Sequence, residues 1–430
     1  MLDRLFKLKA HNTSIKTEVI AGITTFLTMA YIIFVNPSML ASTGMDAGAV
    51  FVATCLAAAI GCFVMGFWAN YPIALAPGMG LNAFFSFTVV GQMGYSWETA
   101  LGAVFISGVC FFLLSVFRIR EWIINSIPLA LKAGIGAGIG LFLGFIGLKN
   151  AGIVVDNPAT LVTLGDMGQW GAIMACIGFI LIAALYYRQI TGSVMIGILA
   201  ITLVSLATGQ AEFNGVFAAP PSLAPTLGQL DIAGALSIGL VSVIFSFLFV
   251  DLFDTSGTLI AVAQKGKLLT ADGKLPRLGR ALMADSTATM AGSVLGTSTT
   301  TSYVESGAGI AAGGRTGLTA VVVGILFLSC LFLSPLAGTI PAYATAPALL
   351  FVAVLMTHSL VQIDWNDITE AAPVVIAAVS MPLTFSITSG IAFGLISYTA
   401  IKALSGRLDQ LNPALWILSA LFIVKMAFYG

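Results

Sequence analysis

The sequence predicts an all-α polytopic membrane protein of about fourteen spans, two seven-span halves related by inversion, with the third and tenth spans broken by short extended segments. Three observations predict it. The 430-residue chain is 58% hydrophobic and 8% charged, whereas a soluble domain carries ~25% charged residues, so it cannot cover a water-facing surface. Apolar windows near the ~20 residues that a membrane helix needs recur along the chain. Two stretches rich in small and polar residues, 72 to 85 and 296 to 309, interrupt that pattern at matching places in the two halves.

In order, the windows of the first half are 18 to 36, 47 to 68, a broken one at 72 to 92, then 97 to 117, 129 to 147, 171 to 187 and 192 to 209. The second half brings 234 to 253, a broken stretch from 283 to 313 that holds the ninth and tenth spans, then 316 to 335, 345 to 361, 371 to 386 and 388 to 404. A final apolar window, 412 to 428, reads either as a further span or as an interfacial helix. The repeats are therefore set at residues 1 to 210 and 211 to 430. An odd number of spans per repeat requires the second to be inverted. The first window is too long for a signal-peptide core and is read as a retained helix.

Charge placement orients the chain. With Arg4, Lys7, Lys9 and Lys16 on the cytoplasmic side, the same side receives Arg118, Arg120, Arg188, the cluster Lys265, Lys267, Lys274, Arg277 and Arg280, then Arg315, Lys402 and Arg407. That is the positive-inside pattern of a multi-pass plasma (inner) membrane protein. Of lysines and arginines, the opposite loops, 148 to 168 and 210 to 233, carry only Lys149. Trp68, Trp97, Trp122, Trp170 and Trp416 sit at window edges, where amphipathic rings favour the headgroup layer. The formal net charge is zero, which gives no surface for nucleic acid. Cys55, Cys62, Cys110, Cys176 and Cys330 fall in apolar windows and read as packing residues. The longest connections are about 20 residues, too short for a soluble catalytic domain, so function must lie within the bundle and in the lipid bilayer.

The interruptions are PIALAPGMGLNAFF and GTSTTTSYVESGAG. Non-helical backbone at membrane depth is tolerated only where protein or a polar cavity satisfies it, and paired interruptions in two halves point to a transporter binding site. Here they coincide with polar side chains, Asn82 in one and Thr299, Thr300, Thr301, Ser302 and Glu305 in the other. Gly packing alone would not require those.

Intramembrane carboxylates are costly and mark function by default. Four are expected: Asp251, Asp254, Asp285 and Glu305. Glu305 is placed near the start of a half-helix, where free N–H groups favour negative charge. An ionised carboxylate only accepts hydrogen bonds, which suits a flat heterocycle with adjacent ring and exocyclic N–H groups. Capping of its own helix is the competing reading. Asp254 is placed at the polar end of the eighth span, before Thr255, Ser256, Gly257 and Thr258, as a second ligand or proton site. Asp251, three residues earlier, shares its helical face. Asp285 opens the ninth span, as a proton site or as an N-cap. Lys132 reads as an interfacial snorkelling lysine. His11 and His358 lie in no metal spacing, and neither a nucleotide loop nor a nucleophile–base pair is present. The residues therefore exclude a metal or cofactor and an intramembrane enzyme.

TTFLTMAYIIFVNP (24 to 37), ALAPGMGLNAFF (74 to 85), LFDTSGTL (252 to 259), YVESGAG (303 to 309) and GGRTGLTAVVVG (313 to 324) resemble the azaguanine-permease-like purine transporters of the nucleobase/ascorbate transporter group, almost end to end. The resemblance implies a core domain, about 17 to 120 and 234 to 336, moving against a gate domain, about 125 to 210 and 342 to 405. It also implies proton-coupled import of purine bases, commonly by a homodimer, with the proton gradient in place of any cofactor. Asp254 and Glu305 match the acids that hold the base, with Gly80, Asn82, Thr258 and Thr301 beside them. Uracil-transporting relatives have a histidine after the eighth-span acid where this chain has Thr258, so Asp251, Asp254, Asp285 or Glu305 would carry the proton. GMGLNAFF and GTSTTTSYVES resemble the guanine/hypoxanthine branch, and Asn82, which donates and accepts, suits a 6-oxopurine. Adenine is the alternative within the family. An anion exchanger on the same architecture would need a cation where Glu305 stands.

Overall fold

A backbone in lipid must satisfy its own N–H and C=O groups, which turns apolar windows into helices. The computed structural model describes residues 2–117, 126–270 and 275–429. Arg118, Arg120, Trp122 and Lys274, and the side chain of Lys265, lie outside the described residues.

The first span is two helices, α1 (Ile15–Met29) and α2 (Ile32–Ala41), with a break that sets Tyr31 between them. Ser14 caps α1 by accepting from the Thr17 N–H. The second span, α3 (Ala47–Val64), continues as a π-helical turn to Ala69 and stops at Asn70, whose φ of 54° turns the chain. The third is the strand β1 (Leu75–Pro77), the short helix α4 (Met79–Ala83) and a π-helical run, Phe84–Gln92. Then come α5 (Trp97–Val116) and α6 (Leu129–Asn150). The next connection holds a hairpin of β2 (Val154–Asn157) and β3 (Leu161–Leu164), turned where Asn157 Oδ1 accepts from the Ala159 and Thr160 N–H groups. Helices α7 (Trp170–Tyr187) and α8 (Ser193–Ala207) complete the half.

The second half repeats the plan. Its helices are α9 (Ile238–Lys265) and α10 (Leu278–Leu295), followed by the strand β4 (Thr300–Ser302), the half-helix α11 (Ser306–Ala311) and α12 (Gly317–Ser329). Then come α13 (Ala342–Thr357), α14 (Ile368–Thr384), α15 (Ile387–Leu404) and the terminal α16 (Pro413–Tyr429). Among the described residues, nine helices are long and apolar enough to cross a membrane, and α8 and α14 are shorter apolar ones. The broken third and tenth spans and the more polar α10 fill the remaining places of the expected count.

Two positions differ from the sequence expectation. The eighth helix does not end near Asp254: it runs on to Lys265, and hydroxyls satisfied inside the protein, such as Ser256 Oγ donating to the Phe253 carbonyl, let the polar stretch stay helical. Asp285 is not an N-cap, because α10 begins seven residues earlier at Leu278 and leaves Asp285 buried in mid-helix.

Packing is set by small residues, as in lipid it must be. Gly134 and Gly138 of α6 lie against Val374, Ala378 and Met381 of α14, while Gly140 and Gly144 of the same helix meet Ala353 of α13. On the other side of the molecule α10 packs on α3 and α5, and α12 packs on α1 and α3. The two groups touch where Phe385, at φ 52° after α14, accepts from the Thr88 hydroxyl at 2.8 Å and sets its ring edge-on to Phe87, Phe142 and Phe145. Lys149 sits over the same ring at 5.4 Å.

Candidate functional site

The two interruptions meet. β1 and β4 pair antiparallel, Leu75 opposite Ser302, Ala76 opposite Thr301 and Pro77 opposite Thr300. The ladder extends by the Gly78 N–H to the Thr299 carbonyl (2.9 Å) and the Tyr303 N–H to the Ala74 carbonyl (3.0 Å). Each break thus satisfies the other's backbone at a depth where no water would. Tyr303 fastens the crossing by donating its phenol to the Pro77 carbonyl. Gly78 lets the strands approach closely there, because a Cβ would sit 2.6 Å from Thr301 Cγ2.

Two acids border the crossing. Glu305, partly exposed, stands at the N-cap of α11, and the buried Tyr31 donates its phenolic proton to Glu305 Oε1 at 2.6 Å. Asp254, also partly exposed, projects from the middle of α9 beside Gly78. Both flank the paired strands, Asp254 through Gly78 and Glu305 three residues beyond Ser302. Thr258, one turn beyond Asp254, is partly exposed on the same face of α9.

A second, buried layer lies next to them. The Thr255 hydroxyl is 3.2 Å from Asp251 Oδ1, 3.0 Å from each Asp285 carboxylate oxygen and 2.7 Å from Thr301 Oγ1. All four residues are almost wholly buried. A hydroxyl has one proton to give, so Thr255 donates to one neighbour at a time while tying α9, α10 and β4 together. Asp251 and Thr301 therefore belong to this layer, away from the partly exposed face.

Gly80 and Asn82 lie on α4, which begins directly after Gly78. Gly80 is a packing contact, where a Cβ would meet Ile139 Cγ2 of α6 at 2.7 Å and Ile387 Cδ1 of α15 at 3.8 Å. Asn82 is wholly buried, and among the described residues neither its amide nitrogen nor its oxygen has a hydrogen-bond partner. The structure thus places Asp254 and Thr258 on one face of α9 and Glu305 at the head of α11, both beside the β1–β4 crossing, with Asp251, Asp285 and Thr301 in the buried layer and Gly80 and Asn82 on α4, which follows Gly78.

Sequence reasoning missed Tyr31 and Thr255. Tyr31 stood inside an apolar helical run, where a lone phenol needing a partner was the available signal. Thr255 was read only as part of a polar helix end.

The arrangement offers acceptor oxygens at the junction of two broken spans, suited to a neutral donor-bearing solute. Comparison with known proteins agrees with that chemistry. The Permease family profile matches residues 16–393. Adenine permease AdeP of Escherichia coli (strain K12) is 52% identical over 428 residues, covering 100% of this chain and 96% of that protein. Guanine/hypoxanthine permease PbuG of Bacillus subtilis (strain 168) is 46% identical over 439 residues, covering 99% and 100%. Among solved structures, the transmembrane domain of a cyanobacterium bicarbonate transporter, BicA, superposes with a TM-score of 0.64 at 14% identity, covering 89% of this chain and 97% of that one. At that identity the likeness speaks for the fold.

Proposed function

Because the chain belongs to the Permease family of nucleobase transporters, a multi-pass integral membrane protein rather than an enzyme, we propose that it imports purine nucleobases with protons, by alternating access around Glu305 and Asp254. The single observation that carries this reading is the pair of partly exposed carboxylates at the β1–β4 crossing, one of them already oriented by Tyr31. Glu305 accepts the N–H edge of the base, and Asp254 with Thr258 completes the contact. Protonation of one acid lets the loaded site reorient without carrying a bare charge through a low-dielectric region, which would be costly. Asp251 and Asp285, joined to the crossing through Thr255 and Thr301, are the reserve proton sites.

In this reading the core comprises about 17 to 120 and 234 to 336, and the gate about 125 to 210 and 342 to 405. The two slide past one another with the N-terminus cytoplasmic in the plasma (inner) membrane, in a homodimer. The Phe385 contacts with Thr88 and Phe87 would part on opening.

Two substrates compete. The third-span motif favours guanine and hypoxanthine. The 52% identity to an adenine permease favours adenine. Uptake of labelled guanine, hypoxanthine and adenine into cells lacking their own purine carriers, with and without a protonophore, decides between them. Protonophore-sensitive uptake that Glu305→Gln abolishes at normal membrane level is the expected result. No uptake of any purine overturns the proposal.

A further inference from the structure

Glu18 is a wholly buried carboxylate one turn into α1. Its oxygens accept from the backbone N–H of Arg315 (2.9 Å) and Thr316 (3.2 Å) and from Thr319 Oγ1 (2.6 Å). These are charge-assisted bonds, the strong kind. They clamp the turn between α11 and α12. Arg315 in that turn donates from Nη1 to the carbonyls of Ile310 (2.7 Å) and Gly314 (2.6 Å), so it holds the C-terminal end of α11. At the other end of α11 stands Glu305, held by Tyr31.

The first span therefore grips the half-helix at both ends, through Glu18 below and Tyr31 above. Between the grips α11 lies flush on α1. A Cβ on Gly309 would overlap Thr25 Oγ1 and the Ala21 carbonyl. The half-helix has six residues, which at the usual rise is about 9 Å of rigid rod. A shift at its Arg315 end is delivered to Glu305.

We propose that Glu18 is a positioning residue for Glu305, acting through Arg315 and α11 without touching substrate. The inference rests on the reading of Glu305 as the ligand of the base. Glu18→Gln replaces one acceptor oxygen by an N–H₂ group that faces the same backbone donors. Thr319→Val, a milder change, removes one of the three bonds.

The test measures half-saturating base concentration and maximal uptake per transporter in the membrane for both variants, alone and combined with Tyr31→Phe. It adds the rate at which a maleimide modifies Val304→Cys, a position 39% exposed beside Glu305, in the purified full-length protein. The expected result is a several-fold rise in half-saturation with Glu18→Gln, a smaller one with Thr319→Val and little change in maximal uptake. The double variant with Tyr31→Phe should fall short of the product of the single effects, as groups acting through one element do. The Val304→Cys labelling rate should also change. Reduced membrane levels with unchanged half-saturation, multiplicative effects, or an unaltered labelling rate would each overturn the inference. Absence of purine uptake by the wild-type chain sinks the transport reading instead, and the labelling rate still decides whether Glu18 sets the place of α11.

Discussion

Tyr31 and Glu305 are separated by 274 residues in sequence and joined by one hydrogen bond of 2.6 Å, phenol to carboxylate. The bond exists because the first span breaks at Tyr31 and the tenth begins its half-helix at Glu305.

Removing that donor should disturb the carboxylate without removing it. A hydrogen bond to a charged group contributes about 1.5–3 kcal/mol, and 1.4 kcal/mol is tenfold in affinity. Tyr31→Phe is expected to raise the half-saturating purine concentration about tenfold at normal membrane level. A concentration series of uptake checks it, and an unchanged half-saturation would show that Tyr31 does not orient the ligand.

The crossing makes a steric prediction. Gly78→Ala places a methyl against Thr301 Cγ2 and should abolish most uptake. Thr301→Ser removes that methyl group and keeps the hydroxyl that meets Thr255. The double variant should therefore recover activity that the single one lacks. If Thr301→Ser gives no relief, the contact at Gly78 is not the cause.

Thr255 is the shared partner of the buried layer. Thr255→Val keeps the shape but leaves buried oxygens short of a donor, at a cost of about 1–3 kcal/mol. Its melting temperature in detergent should fall below that of Thr255→Ser, which retains the hydroxyl. Equal melting of the two would remove the network from the account of stability.

At the surface, Asp367 caps α14 and is bonded by the Thr369 hydroxyl and by Arg407, which hold its carboxyl at about 2 against an ordinary 3.8. A depressed value means that the contribution is complete above the ordinary value and is lost as pH falls through about 2. Comparing the melting of wild type with Asp367→Asn from pH 5 down to pH 2 should show the advantage of wild type shrinking through that window. A constant difference would mean that the cap does not depend on the charge. The same window puts Asp367 outside any change in uptake near neutral pH.

The sequence made the membrane class, the repeat and the two breaks legible because apolar windows and clustered glycines are local signals. Glu305 and Asp254 stand out in the sequence as candidates for a related reason, since a carboxylate inside an apolar stretch must be provided for. The rest depended on partners far away in the chain. Nothing near Asp285 reveals that α10 begins at Leu278, because Leu278–Met283 is not markedly apolar and its helix is set by packing on α3 and α5. Asn82 is legible as a polar side chain in the break, whereas its burial without a hydrogen-bond partner among the described residues depends on the fold around it. The role of Glu18 depends wholly on the fold, which brings the turn at Arg315 onto its carboxylate.

The pairing of Leu75 with Ser302 also governs the order in which the molecule can be made. A ribosome delivers the first strand well before its partner, and contacts so distant in sequence close late. Until the second half is inserted, the backbone of Leu75–Pro77 has no ladder to join, so the nascent first half is an unfinished client for the insertion machinery. A chain that stops short of Thr300 would leave the backbone of Leu75–Pro77 without its strand partner, an unmet demand for hydrogen bonds that the first half cannot answer from within.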